Sequence, residues 1–231
     1  MPYEYIVSSA NPILLILLTD ESEESVKLVN TLIDRTIQIN FDGDAPKNRC
    51  FISVIGYNHC VKDLCSGWLK DLNVAPLRLD SYIERLSDGA GGTIEVNCIQ
   101  PIWVESVNPI LVSGSYSDSI RLAIDICKEW SRDYEMAPIV IDCSEVFHMD
   151  CFKEIEQLKA IATKDGNVLF FGCYSKNENV SEIFSKMPEE WEYRFKNWGL
   201  KEDDYSSGLL NYEHIGSIFS AMMDVGGMPA I

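Results

Sequence analysis

Apolar runs without alternation, bordered by helical stripes, predict an α/β protein: a single doubly wound, mostly parallel sheet with helices on both faces. Residues 13–18, 138–141 and 168–171 are apolar at successive positions, as strands covered on both faces are. Next to each run lies a segment whose apolar residues recur every three or four positions.

Taken in order, the run 13–18 is the first strand. It has the density of a signal-peptide core, but Glu4 is the only charged side chain before it, and no small-residue cleavage site follows. It is also well short of the roughly 20 residues of a membrane span. A buried strand ending at Thr19-Asp20 is therefore expected. Val26, Val29, Leu32, Ile33 and Ile37 then mark a helix, with Glu23 and Glu24 in its first turn, where the helix dipole favours anions. Cys50–Tyr57 reads as a strand with Phe51, Ser53, Ile55 and Tyr57 on one face and Ile52, Val54 and Gly56 on the other. The Gly-rich stretch 88–92 precedes a strand over 93–104. A phosphate-binding loop must open a helix instead, so a plain loop is expected there.

Ile120, Ala123, Ile124, Cys127 and Trp130 form a second helical stripe, before the strand 138–141. Phe152, Ile155, Leu158, Ile161 and Ala162 form a third, closed by a turn at 164–167 before the strand 168–171. The segment 189–231 begins acidic and Trp-rich (Trp191, Trp198) and ends in a helix carrying Ile215, Ile218, Phe219, Met222 and Met223. No repeat or low-complexity linker interrupts the chain, so 1–231 is expected to form one domain.

Composition narrows the function. With 19 Lys+Arg against 36 Asp+Glu the net charge is −17, which argues against a nucleic-acid partner, because phosphate contacts need clustered basic residues. The eight cysteines contain no CxxC pair and several lie in apolar runs. That is the pattern of free thiols in a reducing compartment, and it predicts a cytoplasmic protein without a membrane partner.

Binding sites in parallel sheets form at the carboxyl ends of the strands. There the chain reads Thr19-Asp20-Glu21-Ser22-Glu23-Glu24-Ser25. Asp and Ser oxygens are hard ligands suited to Mg²⁺ or Mn²⁺, and both residue types equally serve as helix N-caps. Ser113 and Ser115, just before the second helix, carry the same two readings. Of the three histidines, His59, His148 and His214, the first adjoins Cys60 and the second lies near Asp150 and Cys151, but neither has zinc spacing.

With Asp20-x-Ser22 following a buried strand, the chain resembles the von Willebrand factor A (vWA) domain family. In that family the metal-ion-dependent adhesion site opens with Asp-x-Ser-x-Ser. Glu24 stands at the second Ser position, and Ser25 lies one residue later. Val112-Ser113-Gly114-Ser115 resembles the second metal loop, with Ser113, Gly114 or Ser115 at its Thr position and Ser115 the natural counterpart. Ile141-Asp142-Cys143-Ser144-Glu145 resembles the third loop and aligns Glu145 with its Asp. Residues 164–171 and 209–226 are similar to an intracellular bacterial branch of the family.

The resemblance implies a Rossmann-like vWA fold and a degenerate metal-ion-dependent adhesion site of Asp20, Ser22, Glu24, Ser115 and Glu145. Binding of Mg²⁺ or Mn²⁺ is expected to be weak or absent, because Glu24 and Glu145 replace family ligands. It further implies a non-enzymatic module that engages a protein partner at the top of the sheet, in an operon context that includes a kinase and a phosphatase. The alternative is a metal-dependent α/β hydrolase or phosphatase-like enzyme using Asp20. Such folds want Asp-x-Asp, which Asp20-Glu21-Ser22 breaks.

Overall fold

A computed structural model describes residues 7–87, 92–108, 115–144 and 151–173, with positions 185, 188, 196 and 201. The protein is mixed α/β, built on a mostly parallel five-stranded central sheet. In chain order the elements are β1 (Ile13–Thr19), α1 (Glu23–Ile39), β2 (Phe41–Asp42), β3 (Ala45–Pro46), β4 (Cys50–Tyr57) and β5 (Val61–Trp68). They continue with α2 (Leu69–Val74), β6 (Arg78–Ser87), β7 (Thr93–Ile102), α3 (Ser115–Asp133), β8 (Ile139–Asp142), α4 (Phe152–Lys159) and β9 (Leu169–Gly172).

The central sheet runs β5-β4-β1-β8-β9. β4 and β8 flank β1 in parallel, with Leu15 opposite Ile52 on one side and Ile139 on the other, and β9 extends the parallel set beyond β8. β1 is buried at every position, as expected of a central strand covered on both faces. Its side chains alternate between two cores. Ile13, Leu15 and Leu17 pack under α1 and α2 with Val29, Leu32, Ile33 and Leu69. Leu14, Ile16 and Leu18 pack under α3 and α4 with Ile120, Ala123, Cys127, Ile155 and Leu158. The stripes predicted for α1 and α3 are the residues that do this burying. α4 stops at Lys159, and Ala162 instead bridges Asn167 around the turn at 163–166.

Two elements differ from expectation. β5, whose sequence Val-Lys-Asp-Leu-Cys-Ser-Gly-Trp carries no apolar period, adds antiparallel to β4 as an edge strand. An edge needs backbone pairing on one side only, so it imposes no two-sided apolar run. The expected strand 93–104 forms, as β7, but not in the central sheet. It pairs with β6 in a separate antiparallel ribbon, Arg78 opposite Ile102 through Ser87 opposite Thr93. β7 then runs into Trp103 and Val104, which are buried against α1.

The link 88–91 between β6 and β7, the Trp191 and Trp198 region, residues 209–226 and two of the three histidines (His148 and His214) lie outside the described residues. All eight cysteines are free thiols. Among the described residues no helix is long and apolar enough to cross a membrane.

Candidate site at the carboxyl edge of the sheet

β1, β4 and β8 end side by side, because their registers pair Thr19 with Gly56 and Leu18 with Asp142. The segments leaving these three strands therefore meet at one edge. After β1 the chain turns sharply. Asp20 Oδ1 accepts the Ser22 N–H at 3.0 Å, Thr19 Oγ1 accepts the Glu21 N–H at 3.0 Å, and Glu21 itself has φ +65°. That left-handed conformation is uncommon for a residue with a side chain. It is held from several directions. The Val107 N–H donates to the Glu21 carbonyl at 3.0 Å, and Lys62 Nζ pairs with Glu21 Oε2 at 2.9 Å. The Glu21 carboxylate lies flat over Gly56, where a Cβ would sit 2.8 Å from Oε1. Glu21 is buried, and its Oε1 has no hydrogen-bond partner among the described residues.

Ser22 is the N-cap of α1. Its Oγ accepts the Ser25 N–H at 3.4 Å and donates to Ser25 Oγ at 2.8 Å. The capping reading of Ser22 is thus realised, and Ser25, one position past the family's second Ser, turns inward beside it. Glu24 is solvent-exposed in the first turn of α1. Ser115 is buried as the first residue of α3. Ser113, Gly114 and Glu145 lie outside the described residues.

The centre of the edge is a group that sequence reasoning passed over. Asp142, the last residue of β8, is fully buried. Its Oδ2 accepts the Tyr116 hydroxyl at 2.5 Å, and its Oδ1 accepts the Ser144 N–H at 3.1 Å and the Ser144 hydroxyl at 2.6 Å. Tyr57, from the end of β4, packs edge-on against Tyr116 with ring centroids 5.0 Å apart. Burial, and then the charges of Asp142 and Asp20, push the Tyr57 phenol well above its ordinary range. Cys143 is raised likewise, by burial first, then by the neighbouring Cys173 thiol and by Asp142 and Asp20. Asp20, just past the end of β1, and Asp142, the last residue of the adjacent β8, lie at the same edge of the sheet. A carboxylate closing the apolar run 138–141 was the signal available in the sequence.

As a cation site the arrangement fits poorly. Among the described residues no three His, Cys, Asp or Glu side chains are grouped to hold a metal. The oxygens that do meet are taken up by one another. Asp142 is engaged by Tyr116 and Ser144, Ser22 by Ser25, and Asp20 by the Ser22 amide. Mg²⁺ needs a near-octahedral shell of freely directed oxygens, which such a set does not offer. No protein-family model matches the chain, and no curated protein matches it.

Proposed function

We propose that the protein is a non-enzymatic, doubly wound vWA-type binding module, intracellular and bacterial in kind, which engages a protein partner at the carboxyl edge of its central sheet. The observation that carries this reading is two hydrogen-bonded sets at that edge, Asp20 with Ser22 and Ser25 and, at the end of the neighbouring strand, Asp142 with Tyr116 and Ser144. These side chains hydrogen-bond one another rather than facing outward, so this part of the edge is preorganised without metal. Preorganisation lowers the ordering cost of association, which suits a docking surface. The family's operon context makes a kinase or a phosphatase the partner class to test first. The hydrolase reading asks for a second carboxylate free to bind a cation beside Asp20. Asp142, the nearest candidate, is already engaged by Tyr116 and Ser144.

Calorimetric titration with MgCl₂ and with MnCl₂ tests the metal-independent reading, which expects no saturable heat. Tight binding abolished by Asp20→Asn would overturn it in favour of a working adhesion site. Glu24→Arg places a cation on the exposed rim of the same edge without touching the core. It is expected to weaken capture of a kinase or phosphatase encoded beside the gene. Undiminished capture by a folded Glu24→Arg protein would move the docking surface elsewhere.

A further inference from the structure

Antiparallel pairing sorts the β6–β7 ribbon into two faces, and the odd-numbered face is the unusual one. It carries Leu79 opposite Pro101, Ser81 opposite Ile99, Ile83 opposite Asn97 and Arg85 opposite Glu95. Leu79, Ile83 and Ile99 are 62%, 61% and 67% exposed, and Leu77 just before them is 65% exposed. Ile99 sits diagonally between Leu79 and Ile83, within reach of both, so the three form one continuous apolar patch. A two-stranded ribbon is marginal in water unless a third strand or a helix covers a face. Here Val96, Cys98, Gln100 and Ile102 of the even face are half-buried, with Tyr82 and Ile94 exposed, while Leu79, Ser81, Ile83, Asn97 and Ile99 of the odd face are all exposed.

The charges on this face identify what can cover it. Arg85 and Glu95 pair at 2.9 Å, both more than half exposed, so the face carries one positive and one negative group in a chain of net charge −17. In a two-fold contact residue i of one copy meets residue j of the other while j meets i, so an Arg–Glu pair is complementary to itself when the axis runs along the ribbon and sets each Arg85 over the other copy's Glu95. The remaining surface of so acidic a chain repels its own kind.

We propose that the odd face of the β6–β7 ribbon is a homodimer interface, closed by the same face of a second copy. Ten residues at about 3.3 Å each and two strands about 4.8 Å apart make a face of roughly 33 by 10 Å. Two corrugated faces of that size bury on the order of 1,000 Å², the lower end for a specific contact, so the dimer is weak and concentration-dependent.

Sedimentation equilibrium on the full chain, from about 1 to about 300 μM, brackets the affinity expected of so small an interface. Mass should rise from monomer toward dimer over that range. Ile99→Asp and Ile83→Arg should each raise the dissociation constant by about tenfold or more, with circular dichroism unchanged. Arg85→Glu and Glu95→Arg should each weaken association, and the double exchange, which rebuilds the pair in reverse, should restore it. A monomer at the highest concentration would overturn the proposal. So would a dimer indifferent to Ile99→Asp, or a double exchange no better than either single reversal.

Discussion

Asp142 shows how a single residue organises this edge. A carboxyl group at the end of a fully buried strand is costly unless hydrogen-bond partners replace the water it has lost. Tyr116 from α3 and Ser144 from its own loop supply them. Removing one donor leaves a buried carboxyl oxygen short of a partner, which costs more than an ordinary hydrogen bond contributes. Tyr116→Phe keeps the ring packed on Tyr57 and deletes only that donor. It should destabilise the protein by about 1.5–3 kcal/mol in urea unfolding. A loss under about 0.5 kcal/mol would show that Asp142 is satisfied without Tyr116. In the sequence, the family spacing points to Glu145 rather than to Asp142, because spacing ranks loop positions and says nothing of which carboxylate the fold buries. Glu21 is equally illegible there. Its left-handed backbone depends on Gly56 and Lys62, which lie more than thirty residues away.

At the scale of elements, helices are easier to read than strands. The α1 and α3 stripes are complete in the sequence because one helix face meets one core. Yet α1 also carries Asn30, a polar residue on its buried side. Asn30 Oδ1 accepts the N–H groups of Trp103 and Val104 at 2.8 and 3.1 Å, and its Nδ2 donates to the Val104 carbonyl at 2.9 Å. One amide side chain thus satisfies three backbone groups where the ribbon strand rejoins the body of the protein. Asn30→Ala strands all three in the core, each at about 1–3 kcal/mol, so a loss of roughly 3 kcal/mol or more is expected in denaturant unfolding. Faster amide exchange at Trp103 and Val104 should accompany it. Wild-type stability in this variant would mean that water or another side chain serves these groups. No local pattern announces such a contact, because its partners lie 73 and 74 residues along the chain.

For the whole molecule, the buried weak acids set the response to alkali. Burial raises Cys50, Cys127, Cys143 and Tyr57 above their ordinary values, and burial with Asp63 pushes Cys65 up to about 11. A raised folded-state value means the native protein keeps protons that the unfolded chain releases. Stability is therefore full below the unfolded thiol value near 9 and falls as pH climbs through the thiol and phenol range. The urea midpoint should be level between about pH 7 and pH 8 and drop progressively between about pH 9 and pH 11. A midpoint unchanged up to about pH 11 would contradict the burial of these groups. Thiol labelling should agree, with exposed Cys60 reacting first and Cys50 and Cys127 only on unfolding.

The α/β class, the four parallel strands β4, β1, β8 and β9 as members of one sheet, and the helix faces that cover it are all legible in the order of the amino acids. Each of these comes from where apolar side chains must go to leave water, and that information is local. The antiparallel edge β5, the detachment of the β6–β7 ribbon and the hydrogen-bonded group around Asp142 emerge only in the folded chain. Backbone pairing at an edge tolerates almost any side chain, and a buried polar group is stable only beside donors the fold brings from afar. Such partners cannot be seen along the chain.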